Sequence, residues 1–441
     1  MNYKIYNAWI CQTAENYVVP VFGDLTVEDG KITEIVERKF PDFRKVNNAG
    51  GSIDAGGRVL TVPLVNFHDH IYSRLAKGLP LHGDFGNFQN ILKNLWWKLD
   101  LALDLETVKA SAQMAALESI RNGVTYIFDH HASPSATANS LKTISGVLNN
   151  FNLRGVLCFE TSDRNGKDKT TEAFIENFNF YKNHTDENIK SMLGLHASFT
   201  LDDESLATAE KYLQEYDWAI HIHLCEDVSD RTISREIGND FPVQRLNKFN
   251  LLNSKSILAH GIYLTETDYK IIKEKGSALV YNIDSNLNNS VGLPTYANVP
   301  ESIPIIIGTD GMHANIARSL KQLFLIYRYQ NNSFDDSFEF FIKVYFDQLK
   351  FIRQYFPDFT NLQEGSRADF VIWDYVPPTP FSAENFWGHF IYGILERIPK
   401  TVVQNGTVLL NDFQLQLKNE PEILKNIFTQ GQKLFNKFKN S

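Results

Sequence analysis

Two short histidine pairs and three isolated polar residues are the parts of this sequence that could do chemistry. His68-Asp69-His70 and His221-Ile222-His223 share one spacing, Glu226 follows the second pair, and Ala259-His260-Gly261 and Gly308-Thr309-Asp310-Gly311 add an imidazole and a carboxylate. In an extended strand residues two apart face one side, so His68 and His70 point together while Asp69 points away. A lone pair of this kind is weak evidence, because two imidazoles also suit a polar strand end. With several imidazoles converging, coordination explains Asp310 better than a helix cap does, since a buried carboxylate needs a cation or several donors. His68, His70, His223 and Asp310 would supply three neutral nitrogens and one anionic oxygen to a divalent metal, leaving a position for water with a pKa lowered toward ~7.

Glu226 lies past its strand end, where it can reach such a water without coordinating the metal, the placement for general acid/base work. The alternative for it is a solvent-exposed loop acid. His221 points inward one layer deeper than His223, which fits a hydrogen-bonded supporting role. Cys225 is turned away by alternation and reads as packing. Asp129, His130 and His131 end another strand, where they either contact substrate and support the metal or form a polar strand end with paired imidazoles. Trp96, Trp97, Arg74, Asn282 and Asn286 border the expected pocket, and an aromatic wall with amide donors suits a flat heterocycle. Tryptophans so placed are more often helix core. His313, near Asp310, either alters specificity or faces solvent, the second being favoured.

Bringing these residues together requires converging strand ends, and eight of the twelve histidines lie in or just beyond apolar runs. From Val124 to Asp310 short Val/Ile/Leu-rich runs alternate with longer amphipathic segments such as Leu105 to Asn122 and Glu204 to Glu215, the rhythm of βα units. The strand candidates are 62–69, 123–130, 153–160, 190–197, 218–225, 256–262, 278–283 and 303–309. Eight strands close a (β/α)8 TIM barrel, which presents side chains from all strands at one face. The rival, an open doubly wound sheet, calls for a glycine-rich phosphate loop after its first strand, where His68-Asp69-His70 stands instead.

Residues 1–60 carry short alternating runs broken by Asp29-Gly30, and the C-terminal part, 365–441, repeats that style in Ala368 to Trp373 and in Thr401 to Leu410, the latter around Asn405-Gly406, both hairpin signals. The expected organisation is therefore α/β, with a metal-dependent barrel over 61–364 and a small β-sandwich built from both chain ends. Segment 163–170 is polar and aperiodic, and reads as a flexible loop.

With 441 residues, 43% hydrophobic and 22% charged, the chain has the composition of an ordinary globular protein. A net charge of -9 without long Lys/Arg runs gives no reason to expect nucleic acid or anionic lipid as a partner. Cys11, Cys158 and Cys225 are odd in number and far apart, against a disulfide framework. Met1 to Ile10 lacks the pattern of a signal peptide, and no apolar run reaches ~18 residues. A cytoplasmic location is the expectation.

Taken together, these residues resemble the amidohydrolase superfamily, in its mononuclear aminohydrolase/chlorohydrolase (ATZ/TRZ-like) branch. The resemblance runs through nearly the whole chain, and Asn94-Leu-Trp-Trp-Lys-Leu99, Phe128-Asp-His-His-Ala-Ser-Pro134 and Asp374-Tyr-Val-Pro-Pro-Thr-Pro380 are similar to the SsnA aminohydrolase group. It implies that His68, His70, His223 and Asp310 bind one metal, usually zinc or iron with manganese a third option. It also implies that Glu226 carries a proton to the substrate ring nitrogen, and that His260 with Asp310 orients and deprotonates water. His196, in Gly194-Leu-His-Ala-Ser-Phe-Thr200, matches a substrate-bonding position on the strand where binuclear relatives carry a carbamylated lysine, which favours one metal. His131, Trp97 and Asn286 are the further substrate-binding candidates. Thr61-Val-Pro-Leu-Val-Asn66 departs from the usual Pro-Gly-Leu-Ile or Pro-Gly-Phe-Val, away from the chemistry. A homodimer is implied by the family alone.

The expected activity is hydrolytic deamination of an amino-substituted N-heterocycle, with purine, pyrimidine, pterin and triazine derivatives all open. The runner-up keeps the site and expels an alkylamine or halide. A barrel that binds metal without turnover is the rival from another class, and Glu226 speaks against it.

Overall fold

A computed structural model describes residues 2–39, 51–184, 186–236 and 241–439. Eight strands carry the expected polar ends: β1 (Leu64–Asp69), β2 (Val124–His131), β3 (Arg154–Phe159), β4 (Ile189–Ser191 and, past Met192, Leu193–Ala197), β5 (Ile220–Leu224), β6 (Ile257–His260), β7 (Ala278–Tyr281) and β8 (Ile305–Ile307). All but β2 and β4 are shorter than the apolar runs that announced them, because several runs continue into turns at the polar end. All their pairings are parallel, β1 to the first half of β4 forming one sheet and the second half of β4 to β8 another. Parallel bridges join Thr161 to Leu195 and Asp69 to Asp310. Nearly every residue of these strands is buried, as expected when both faces of a parallel sheet are covered.

Several of the covering helices start where side chains cap them. Leu105–Arg121 opens on a reciprocal Asp104–Thr107 capping box, and Asp203–Glu215 on Asp202, which accepts from the Ser205 N–H. Such caps satisfy backbone donors left free in the first turn.

Both chain ends meet in a nine-stranded, mostly antiparallel sheet that runs from Lys31–Glu37 through Tyr3–Thr13 and Val59–Thr61 to Phe370–Trp373 and Gln414–Leu415. Asp29-Gly30 and Asn405-Gly406 are left-handed pairs, with φ of 47° and 79° and of 49° and 68°, the signature of two-residue hairpin turns. These turns touch: a Cβ on Gly406 would lie 2.8 Å from Gly30 Cα.

The last segment is a helix, Glu420–Lys439, whose Asn426 donates to Gln113 on the helix Leu105–Arg121; its apolar residues recur at helical rather than alternating spacing. One expectation is corrected. The polar run 163–170 is a short turn followed by the start of the helix Lys167–Asn183. Asp163 organises it by accepting from Thr170 Oγ1 at 2.7 Å, Ser205 Oγ at 2.9 Å and the Asp202 N–H at 2.8 Å. Among the described residues no helix is long and apolar enough to cross a membrane.

Candidate active site

His68 and His70 at the end of β1, His223 on β5 and Asp310 just past β8 each offer one ligand atom, all within 4.8 Å of one another. Asp310 Oδ1 lies 2.9 Å from His70 Nε2 and 3.3 Å from His68 Nε2, and the Nε2 atoms of His70 and His223 are 3.1 Å apart. The outer nitrogens set the tautomers. His70 Nδ1 lies 2.6 Å from the His130 carbonyl and His223 Nδ1 2.9 Å from the His196 carbonyl. A carbonyl only accepts, so each Nδ1 donates and each Nε2 keeps its lone pair toward the cluster. His68 Nδ1 meets His221 Nε2 at 2.7 Å, while His68 Nε2 is buried without a hydrogen bond. Lone pairs so aimed repel one another unless a cation sits among them, so this donor set fits a divalent metal.

Close approach of β8 to β1 requires Gly308, where a Cβ would fall 2.7 Å from His68 Cβ and 2.4 Å from Asn282 Oδ1. Both the Thr309 and Asp310 N–H groups donate to the His68 carbonyl, which sets Asp310 opposite His68. Asp310, Cys225 and His260 adopt left-handed backbone, with φ of 54°, 48° and 75°. At non-glycine residues this costs on the order of 1–3 kcal/mol each, strain characteristic of sites whose side chains must be re-aimed.

Glu226, His260 and Asp310 form a second convergent group. His260 Nε2 lies 3.5 Å from Glu226 Oε2, and its Nδ1 is held at 2.8 Å by Asn286 Oδ1. Burial pushes the Glu226 carboxyl well up, and the charges of Asp310 and Asp230 push it further. Burial pushes His260 down. For Asp310 burial acts upward, but the imidazoles around it, His70 first, outweigh it and hold the carboxyl well below its usual range. A carboxyl pushed up beside one held down is the division of labour that proton transfer needs.

A cavity opens over both groups. His70, His223, Glu226 and Asp310 line it, and so do Trp96, Trp97 and His196, so the tryptophans are cavity wall rather than helix core. His131 and Asn286, expected against substrate, do not line it. His131 is fully buried with Nε2 on Ser133 Oγ at 2.8 Å, and Asn286 is committed to His260. Arg74 and Asn282 are likewise fully enclosed away from the cavity. His221 is the hydrogen-bonded support expected of it. His130 supports as well: its carbonyl takes His70 Nδ1 and its Nε2 spans the carbonyls of Leu195 and His221 at 3.0 and 3.1 Å. Asp129 accepts from the Ile71 N–H at 2.8 Å, and burial lifts its pKa to about 8. His313 is half-buried, with its Nε2 3.3 Å from Asp284. Cys225 is fully buried, and all three cysteines are free.

Among the wall residues that sequence reasoning missed are Asp100, Glu160 and Arg164. Arg164 lies 3.6 Å from Asp100, forms an ion pair with Glu160, and sits 4.9 Å over the Trp97 ring. Glu160 directly follows β3, the same acid-past-the-strand signal that marked Glu226. Asp100 stands on a helix and carries no such signal.

The model of the Amidohydrolase family matches residues 59–348, which include every residue of both convergent groups. The chain belongs to the amidohydrolase family. This amidohydrolase is a hydrolase acting on C–N bonds. It is 25% identical over 401 residues to the 5'-deoxyadenosine deaminase of Methanosphaera stadtmanae, covering 88% of this chain and 91% of that one. Among solved structures it is similar to a zinc-bound adenosine deaminase from Xanthomonas campestris, with a TM-score of 0.80 and 18% identity over 98% of each chain. It is also similar to the zinc complex of the atrazine chlorohydrolase TrzN from Arthrobacter aurescens, with a TM-score of 0.79 and 16% identity over 97% of this chain and 100% of that one. At such identities these are likenesses of fold. The amidohydrolase is thus a mixed α/β protein of that fold.

Proposed function

We propose that this amidohydrolase removes an amino group from an N-heterocycle by hydrolysis: water adds to the amino-bearing ring carbon, the C–N bond breaks, and ammonia leaves. The single observation that carries this reading is a buried Glu226 that meets Asp310 of the four-residue cluster on the wall of one cavity. His68, His70, His223 and Asp310 would hold one divalent metal; zinc suits three imidazoles and a carboxylate best, with iron or manganese as alternatives. When bound, such a metal acts as a Lewis acid that brings a water's pKa toward ~7. Glu226 delivers its proton to the ring nitrogen and takes one from the attacking water, His260 and Asp310 orient that water, and His196 and Trp97 hold the substrate. The likeness to 5'-deoxyadenosine deaminase makes a 6-aminopurine nucleoside the first substrate to test.

The same reading places β1 to β8 in a closed barrel over 61–364, supported by the bridges at both sheet junctions, and 1–60 with 365–441 in a second β domain, supported by their common sheet. The partner is a small molecule, neither nucleic acid nor membrane; a homodimer rests on family resemblance, and a cytoplasmic location on the three free, buried cysteines. The test is to incubate metal-replete protein with 5'-deoxyadenosine, adenosine, guanine and atrazine while measuring ammonia and chloride. Stoichiometric ammonia with loss of the amino group supports deamination. Chloride alone would replace it with a different leaving group, and bound metal without turnover of any of the four would overturn it.

A further inference from the structure

One short helix, Ile283–Asn288, follows β7 and touches two members of the acid/base group. Asn286 holds His260 at 2.8 Å. One face of this segment carries a relay to Asp310: Ser285 Oγ donates to Asp310 Oδ2 at 2.5 Å, and Asn289 Nδ2 donates to Ser285 Oγ at 3.2 Å. Asn289 lines the cavity, as Glu226 does. Its Oδ1 is occupied by Asn288 Nδ2 at 3.1 Å, which fixes the amide with its N–H bonds toward Ser285. The relay follows from helical geometry, since residues four apart stand one above the other.

We propose that Ser285, backed by Asn289, is a positioning residue for the metal-binding carboxylate. Asp310 has two oxygens with different tasks: Oδ1 faces His68 and His70, and Oδ2 is claimed by Ser285. The serine hydroxyl therefore fixes the carboxylate's rotation and keeps Oδ1 on the cluster. Asn289 donates to the same hydroxyl, so the serine's own proton stays pointed at Asp310. The inference rests on the role of Asp310 proposed above, and it assigns the aim of that carboxylate to a segment that contributes no metal ligand.

Ser285→Ala in the full chain is expected to weaken zinc binding 10–100-fold in competition with a chelator, the range for loss of a partner behind a metal ligand, and Ser285→Thr, which keeps the hydroxyl, is expected to recover most of it. Asn289→Ala, which removes only the support behind Ser285, is expected to weaken zinc binding less than Ser285→Ala does, and thermal unfolding checks that each variant folds. Parent zinc affinity in Ser285→Ala, or no recovery in a folded Ser285→Thr, would overturn the proposal. A parent protein that takes up no zinc would instead remove the metal-binding role proposed for Asp310.

Discussion

The guanidinium of Arg74 meets both carboxylate oxygens of Asp69, at 2.6 and 2.7 Å, with both side chains fully buried. Asp69 stands between His68 and His70 and faces the opposite way, so this pair backs the strand end from which both histidines project. Arg74 also donates to the His313 carbonyl at 3.2 Å and places Nε 3.1 Å from Glu118, tying β1 to the loop that follows Asp310.

Removing one partner of a buried pair leaves an uncompensated charge and costs about 3–5 kcal/mol. Arg74→Met is expected to lose that much stability in urea unfolding. The double variant Arg74→Met with Asp69→Asn is expected to recover part of it, since no buried charge is then unpaired. A loss below about 1 kcal/mol in the single variant would contradict this account.

Glu226→Gln keeps shape and removes the titratable proton. Turnover is expected to fall by about 10²–10⁴, the usual contribution of a positioned acid or base, while bound zinc measured by elemental analysis stays at the parent level because Glu226 is no member of the four-residue cluster.

His221 touches the cluster only through His68, at 2.7 Å. His221→Phe is expected to free the His68 ring and weaken zinc affinity about 10–100-fold, read by chelator competition. Equal affinity in variant and parent would show that His68 needs no such support.

Asp230 accepts the Glu226 N–H at 3.2 Å and is buried. Burial and then the Asp227 charge raise its pKa from 3.8 to about 7, against hydrogen bonds from the Glu226 and Cys225 backbone. The folded state thus keeps a proton that the unfolded chain releases near 3.8, so this contribution to stability is complete below that value and is lost as pH rises to about 7, levelling off beyond. Asp230→Asn removes the dependence. Its Tm relative to the parent is expected to climb between pH 4 and 7 and then stay flat; a difference independent of pH would refute the assignment.

The His68–His70 pair was legible because strand alternation alone decides that the two rings share a face and Asp69 does not. Glu226 and Asp310 were legible because an acid just past an apolar run lands at a strand end. Asn286 shows where that reading stops. An amide near a pocket carries no local mark of whether it faces a ligand or a neighbouring side chain, and only the packing of the β7 helix against His260 turned it from substrate toward the imidazole. His131 turned inward to Ser133 for the same reason.

By itself the chain's order of residues determined the periodicities, the hairpin turns at Asp29-Gly30 and Asn405-Gly406, and the set of side chains at strand ends, since each depends on interactions within a few positions. Tertiary structure alone decided the rotation of Asp310, the tautomers of His70 and His223, and the wall of Asp100, Glu160 and Arg164. Those depend on carbonyls, hydroxyls and charges contributed by distant segments, and their directions exist only once the chain is packed.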